Sequence, residues 1–196
     1  MLPLGQAEVC YINHVGQGCI MRQGLTRRLS GLLLMLSLGA AAPVQASEAQ
    51  LGGEEQARYL AELKRLYMTK DERKALLAHS NALLDTYALR AGYQVGKAPA
   101  QRSDLRYQLS ISGPGELLVR QETRQERNGN LAVSNQRLSV FGVDPYIHYE
   151  CPASGITCVL DNPADGSPWI TVLRDHQGAA DLAKALSFLI RNLQKN

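Results

Sequence analysis

The stretch between Asp104 and Val143 constrains the fold most. Leu105, Tyr107, Leu109 and Ile111 alternate strictly with polar residues, the pattern of an antiparallel strand with one face buried. Ser112-Gly113-Pro114-Gly115 supplies a turn. Asn128-Gly129-Asn130 is the strongest hairpin signal in the chain, because Asn and Gly accept the positive φ angles of a tight reversal. Strands are therefore expected at 104–111, 116–127 and 131–143. The second is apolar at Leu117, Leu118 and Val119 and then turns almost wholly polar. The pair flanking the Asn-Gly turn should form a long ribbon whose tip is polar on both faces.

Around this block the pattern changes period. Tyr59, Leu60, Leu63, Leu66 and Tyr67 recur at helical steps, with Glu54 and Glu55 at the start and Lys64 and Arg65 near the end, the charge order that suits a helix dipole. Thr69-Lys70-Asp71-Glu72 reads as a capping box that opens a second helix over 70–91, with Gly92 as its stop. Whether the two helices form a bent rod or a hairpin is left open by the pattern. After the ribbon, short strands are expected at 146–151 and 158–160. Asn162 to Pro168 is a loop dense in turn formers. Trp169 to Leu173 is apolar on both faces, as in a central strand or one beside a helix layer. Leu182, Leu186, Leu189 and Leu193 then stripe a last helix over 179–193. Strands grouped in sequence with helices at the ends describe an α+β domain: two N-terminal helices, a mostly antiparallel sheet of four to six strands with a long hairpin, and a C-terminal helix packed on the sheet.

Ahead of this domain lies a segment with a different purpose. Met21 to Ala46 has a cationic start (Arg22, Arg27, Arg28), an apolar run from Gly31 to Ala42, and a small-residue exit at Val44-Gln45-Ala46, the build of a bacterial secretory signal peptide. The run is about a dozen residues, against roughly 20 for a bilayer span. Cleavage is expected before Ser47, leaving 47–196 as a single mature domain with no membrane anchor. Thr26-Arg27-Arg28 begins like a twin-arginine signal, but Ser30 and Gly31 stand where bulky apolar residues belong, so general secretion is the expected route. Residues 1–20 carry no Lys or Arg and precede the basic start, which points to translation beginning at Met21. Cys10, His14 and Cys19 within them match no zinc spacing.

Export sets the chemistry of the remainder. Removing 1–46 takes Lys+Arg from 21 to 18 and Asp+Glu from 18 to 17, so net charge falls from +3 to +1. A nearly neutral chain lacks the electrostatic footprint of a nucleic-acid binder. Two cysteines survive, Cys151 and Cys158, and an even count in an exported chain reads as a disulfide. The loop between them is longer than a redox Cys-x-x-Cys and carries Pro152.

No strong catalytic motif appears and no cofactor or metal is implied. His79 belongs to the second helix. His148 shares a strand phase with Asp144, Tyr146 and Glu150, and His176 follows Asp175 at a strand end; with Asp161 they are weak candidates for an acid–base or metal site. Ser154 lacks the leading Gly of a nucleophile elbow. Asp161 to Gly166 ends like a calcium loop, but Pro163 and Val172 occupy ligand positions. On the ribbon, Arg120, Glu122, Arg124 and Glu126 share one face. The arginines at 120, 124, 127 and 137 are the expected interaction residues, for strand addition or self-association.

In outline the chain resembles small exported proteins of Gram-negative bacteria. The resemblance covers the leader and general build and transfers no functional residues. The expected role is a periplasmic or secreted binding module with a protein partner or a second copy, more in keeping with these residues than an enzyme. The alternatives are a small envelope enzyme built on His148 and His176, and an export-linked chaperone that uses the N-terminal helices. N-terminal sequencing of the protein from the envelope fraction is expected to begin at Ser47; a start at Met1 or Met21 would refute cleavage.

Overall fold

The computed structural model describes residues 53–195. The leader, the Ser47 cleavage position and the stretch holding Cys10, His14 and Cys19 lie outside the described residues. Among the described residues the elements run α1 (Glu54–Leu66), α2 (Glu72–Thr86), β1 (Ser103–Gly113), β2 (Glu116–Gln125), β3 (Leu131–Ser139), β4 (Tyr149–Glu150), β5 (Thr157–Asp161), β6 (Pro168–Leu173) and α3 (His176–Gln194), with single 3-10 turns at Ala91–Tyr93 and Pro99–Gln101. The chain is α+β, as its patterning implies. Its six strands are divided between two antiparallel sheets, ordered β1-β2-β3 and β4-β5-β6.

α1 folds back on α2 as a hairpin. The turn is closed by Met68 at φ 47°, with Met68 N–H donating to Arg65 O (3.3 Å) and Thr69 N–H to Lys64 O (3.0 Å), the two bonds of a Schellman cap. This corrects the expected capping box. The Thr69 hydroxyl accepts from Asp71 N–H at 3.2 Å, and Asp71 caps α2, its carboxylate accepting from Lys74 N–H at 3.1 Å. Glu72 pairs instead with Lys64 across the hairpin at 3.2 Å.

α2 ends at Thr86, five residues before the expected end at Ala91. Tyr87 to Leu89 is needed elsewhere: Leu173 N–H donates to Tyr87 O and Leu105 N–H to Leu89 O, both at 2.8 Å. This short segment thereby joins the outer edge of β6 to the outer edge of β1. Thr171 N–H, further along β6, donates to the Tyr107 hydroxyl at 3.2 Å. That covered edge explains why Trp169, Ile170 and Val172 are buried in a strand that ends its sheet.

α3 is the centre of the core. Leu182, Leu186, Leu189, Ile190 and Leu193 are fully buried, each contributing about 1.5–3 kcal/mol by removal from water. They pack in one cluster with Leu76 and Leu84 of α2, Leu117 and Val119 of β2, and Leu160 and Ile170 of the second sheet. Asp175 caps the helix by accepting from Gly178 N–H at 2.7 Å. Gly178 has to be glycine, because a Cβ there would fall on the Tyr87 ring. Near its far end Gln194 Nε2 donates to Val140 O (2.7 Å) and Val143 O (2.9 Å), tying the chain after β3 to the helix.

Cys151 and Cys158 form a disulfide with Cα atoms 4.2 Å apart, in keeping with an oxidising, exported setting. Among the described residues no helix is long and apolar enough to cross a membrane. Closing a ring of roughly eight residues constrains the unfolded chain by about 2.5 kcal/mol. Urea denaturation with and without reductant is expected to show that difference in stability; coincident curves would mean the staple restrains nothing that unfolding releases.

Candidate functional site

Sheets expose unpaired backbone groups at their edges, and proteins ordinarily shield them. Four edges exist here. On β1 the odd-numbered residues point outward: Leu105 N–H meets Leu89 O at 2.8 Å, and Leu109 is held by the Asn81 side chain. Asn81 Oδ1 accepts from Leu109 N–H at 2.7 Å and its Nδ2 donates to Leu109 O at 3.0 Å, so one amide of α2 stands in for a neighbouring strand. β6 is covered by Tyr87 and Tyr107, as above. β4 is two residues long.

The outer edge of β3 is different. Val140 N–H donates to Gly115 O and Gln125 N–H to Asn130 O, each at 2.9 Å. With the unbroken pairing of Glu116 with Ser139 through Arg124 with Leu131, this turns the even-numbered residues of β3 toward β2. The odd ones, Leu131, Val133, Asn135, Arg137 and Ser139, present their N–H and C=O groups outward. Among the described residues nothing bonds to them. The strand has no proline, no lysine and no bulge, and every side chain in it but Leu138 is exposed. Leu131 and Val133 are 48% and 42% exposed, and Phe141 just beyond is 53% exposed.

The side chains of those same odd residues lie on the sheet face that carries the arginines. The register sets Asp104 opposite Arg124 and Arg106 opposite Glu122, yet the ion pairs run otherwise. Arg106 reaches Asp85 of α2 at 2.9 Å, and Arg90 approaches the same carboxylate oxygen at 3.4 Å. Glu122 is held by Arg120 at 2.9 Å. Asp104 accepts from Ala91 N–H at 2.7 Å. Arg137 pairs with Glu116 at 3.7 Å. Of the four expected interaction arginines, Arg120 and Arg137 are therefore engaged within the protein. The Arg124 and Arg127 side chains make no hydrogen bond or ion pair among the described residues. Arg124 lines a cleft of about 200 Å³ with Arg90, Asp104, Arg106, Glu122 and Leu131. A second cleft of about 410 Å³ shares Arg106 and Glu122 and reaches Asn81 and Asp85.

The weak catalytic candidates are scattered. His148 and Asp161 are cross-strand neighbours, Asp161 N–H donating to His148 O at 2.9 Å, and the exposed His148 ring stands edge-on to Tyr146 with centroids 4.7 Å apart. His176 opens α3 beyond the other end of β5, where Thr157 pairs with Leu173. The four residue steps along β5 amount to roughly 13 Å, so the fold does not bring the two histidines together. No group of three His, Cys, Asp or Glu side chains suited to a metal occurs among the described residues. In the calcium-like loop the Asp165 carboxylate accepts from Ser167 N–H and Oγ–H at 3.0 and 2.6 Å, which hold it below the usual carboxylate range. Ser154 is exposed in a loop fixed by Arg174, which donates to Ala153 O at 2.7 Å.

His79 has a structural setting. Its Nδ1 hydrogen-bonds the Tyr67 hydroxyl at 3.2 Å and its ring meets Tyr59 edge-on. Burial lowers its pKa, with Asp181 acting in the opposite direction. It belongs to the seam between α1 and α2.

Asn81, Asp85, Arg90 and Arg106 escaped sequence inspection. Asn81 and Asp85 are one turn apart on α2, and that shared face was the legible sign. Comparison with protein-family models, with curated proteins and with solved structures finds no match.

Asn81→Ala is expected to leave both backbone groups of Leu109 without their partner and to lower stability by about 1–3 kcal/mol. Hydrogen exchange at Leu109 should rise by a comparable factor. Unchanged exchange there would show that the amide is not what shields β1.

Proposed function

We propose that this chain is an exported, disulfide-stapled binding module that takes an extended segment of another polypeptide onto the outer edge of β3. The observation that carries this reading is the contrast between edges. The outer edges of β1 and β6 are bonded at Leu105, Leu109, Thr171 and Leu173 by the protein's own backbone and side chains, while the nine-residue β3 has no such bonds along its outer edge among the described residues. An added strand would find main-chain donors and acceptors at every second residue, which supply affinity. Side-chain specificity would come from the face bearing Leu131, Val133 and the arginines.

Export supports the reading from a second direction. The disulfide suits the periplasm or the extracellular space, and the leader pattern supplies the route. Arg124, a cation without a side-chain partner among the described residues, stands at the hairpin end of the same face, with Arg127 in the adjoining turn, and the two would favour a segment carrying carboxylates there. No observation among the described residues gathers His148, His176 and Asp161 into a reactive centre.

Asn135→Pro tests the proposal. Proline removes one outward N–H and leaves the bonds to β2 intact, a substitution edge strands tolerate. Affinity capture from the envelope fraction is expected to lose its partner with Asn135→Pro, to weaken with Arg124→Ala/Arg127→Ala, and to be unaffected by His148→Ala/His176→Ala. Capture indifferent to Asn135→Pro would refute strand addition at this edge.

A further inference from the structure

From the residues of β3 itself we infer that the strand taken up at this edge is β3 of a second copy, giving a symmetric dimer with a six-stranded sheet across the twofold axis. The inference rests on the strand-addition reading above and adds the identity of the partner.

Two copies related by a twofold axis must pair antiparallel, and each must offer the same surface. Centring the axis on Asn135 is the one register that engages all nine residues of the strand, Leu131 to Ser139. It sets Asn135 against itself, Leu131 against Ser139, and Val133 against Arg137 of the second copy. The odd-numbered residues that point outward in one copy then meet the outward residues of the other, so donors face acceptors along the whole strand. Like charges directly opposite would destabilise such a pair. The strand carries a single charge, Arg137, and this register keeps the two copies of it apart. Its guanidinium remains within 3.7 Å of Glu116 of its own chain.

The apolar residues agree with the same arrangement. Leu131, Val133 and Phe141 are the exposed large hydrophobic side chains of this ribbon and its exit. Phe141 lies two residues past Ser139, which makes it the diagonal neighbour of Leu131 from the second copy, within the reach of an aromatic side chain. The Phe141 ring also lies over Gly115, where a Cβ would collide with it. Each half of the dimer thereby gains one Leu–Phe contact, repeated by symmetry.

Sedimentation equilibrium of the purified chain across the micromolar range tests the inference. The wild type is expected to be dimeric and Asn135→Pro monomeric. A charge pair gives a readout that does not depend on proline being accommodated. Val133→Glu places a carboxylate opposite Arg137 of the second copy, and Val133→Lys places a cation there. Val133 is exposed in the monomer, so both variants should fold. The two pairs formed per dimer should separate their dissociation constants by roughly tenfold, Glu tighter. Equal dissociation constants for these variants, or a dimer that survives Asn135→Pro, would overturn the register. A wild type that sediments as a monomer throughout would overturn self-pairing altogether. Capture of a different protein that Asn135→Pro abolishes would then identify a foreign strand as the occupant, and the proposed function would stand without this inference.

Discussion

Backbone hydrogen bonding at the sheet edges is the constraint from which the rest of this structure follows. A three-stranded sheet leaves two rows of N–H and C=O groups without strand partners, and two such sheets leave four. The segment Tyr87–Leu89 meets two of these demands at once, accepting from Leu173 on one side and Leu105 on the other. It ends α2 early, divides the strands into two sheets and joins them. Tyr107 shares the task. Its hydroxyl accepts from Thr171 N–H, while burial pushes the phenol's pKa up and that hydrogen bond works in the opposite direction.

The helices gain their positions from the same arrangement. α2 lies along β1 because Asn81 bonds both backbone groups of Leu109, and Asp85, one turn on, gathers Arg90 and Arg106. α3 then fills the space beneath both sheets, buried over most of its length. α1 is held more lightly, through Leu60 and Leu63, the Tyr59–Phe188 ring contact, and Lys184 with Glu55. Exposed ion pairs of that last kind add little each. The shielding runs out at β3, and the unmet backbone groups there give the molecule its most plainly available surface.

Much of the fold was legible in local pattern. The alternation of Leu105 to Ile111 marked a strand, Asn128-Gly129-Asn130 marked the hairpin, and the leucine stripe of 182–193 marked the central helix. Each depends on residues within one turn or one strand, whose side-chain period is set by the backbone alone. The end of α2 and its cap were misplaced for the converse reason. The Thr69 hydroxyl accepts from Asp71 N–H, and Tyr87 was claimed by β6, a strand more than eighty residues away. The interaction arginines were picked out by strand phase, yet phase could not sort them. Arg120 and Arg137 have carboxylates within reach, whereas Arg124 faces an Asp104 whose oxygen is already taken by Ala91 N–H.

By itself the sequence determined the α+β class, the hairpin arm and the pairing of two cysteines, because composition and periodicity are local properties. Tertiary structure decided which strands became edges, which of those edges the chain could cover, and which histidines stayed apart. Those outcomes turn on contacts between residues far apart in sequence, such as Tyr87 with Leu173 and Asn81 with Leu109. Strand pattern states that backbone groups will seek partners; only the folded chain reveals that, among the described residues, the outer edge of Leu131 to Ser139 has none.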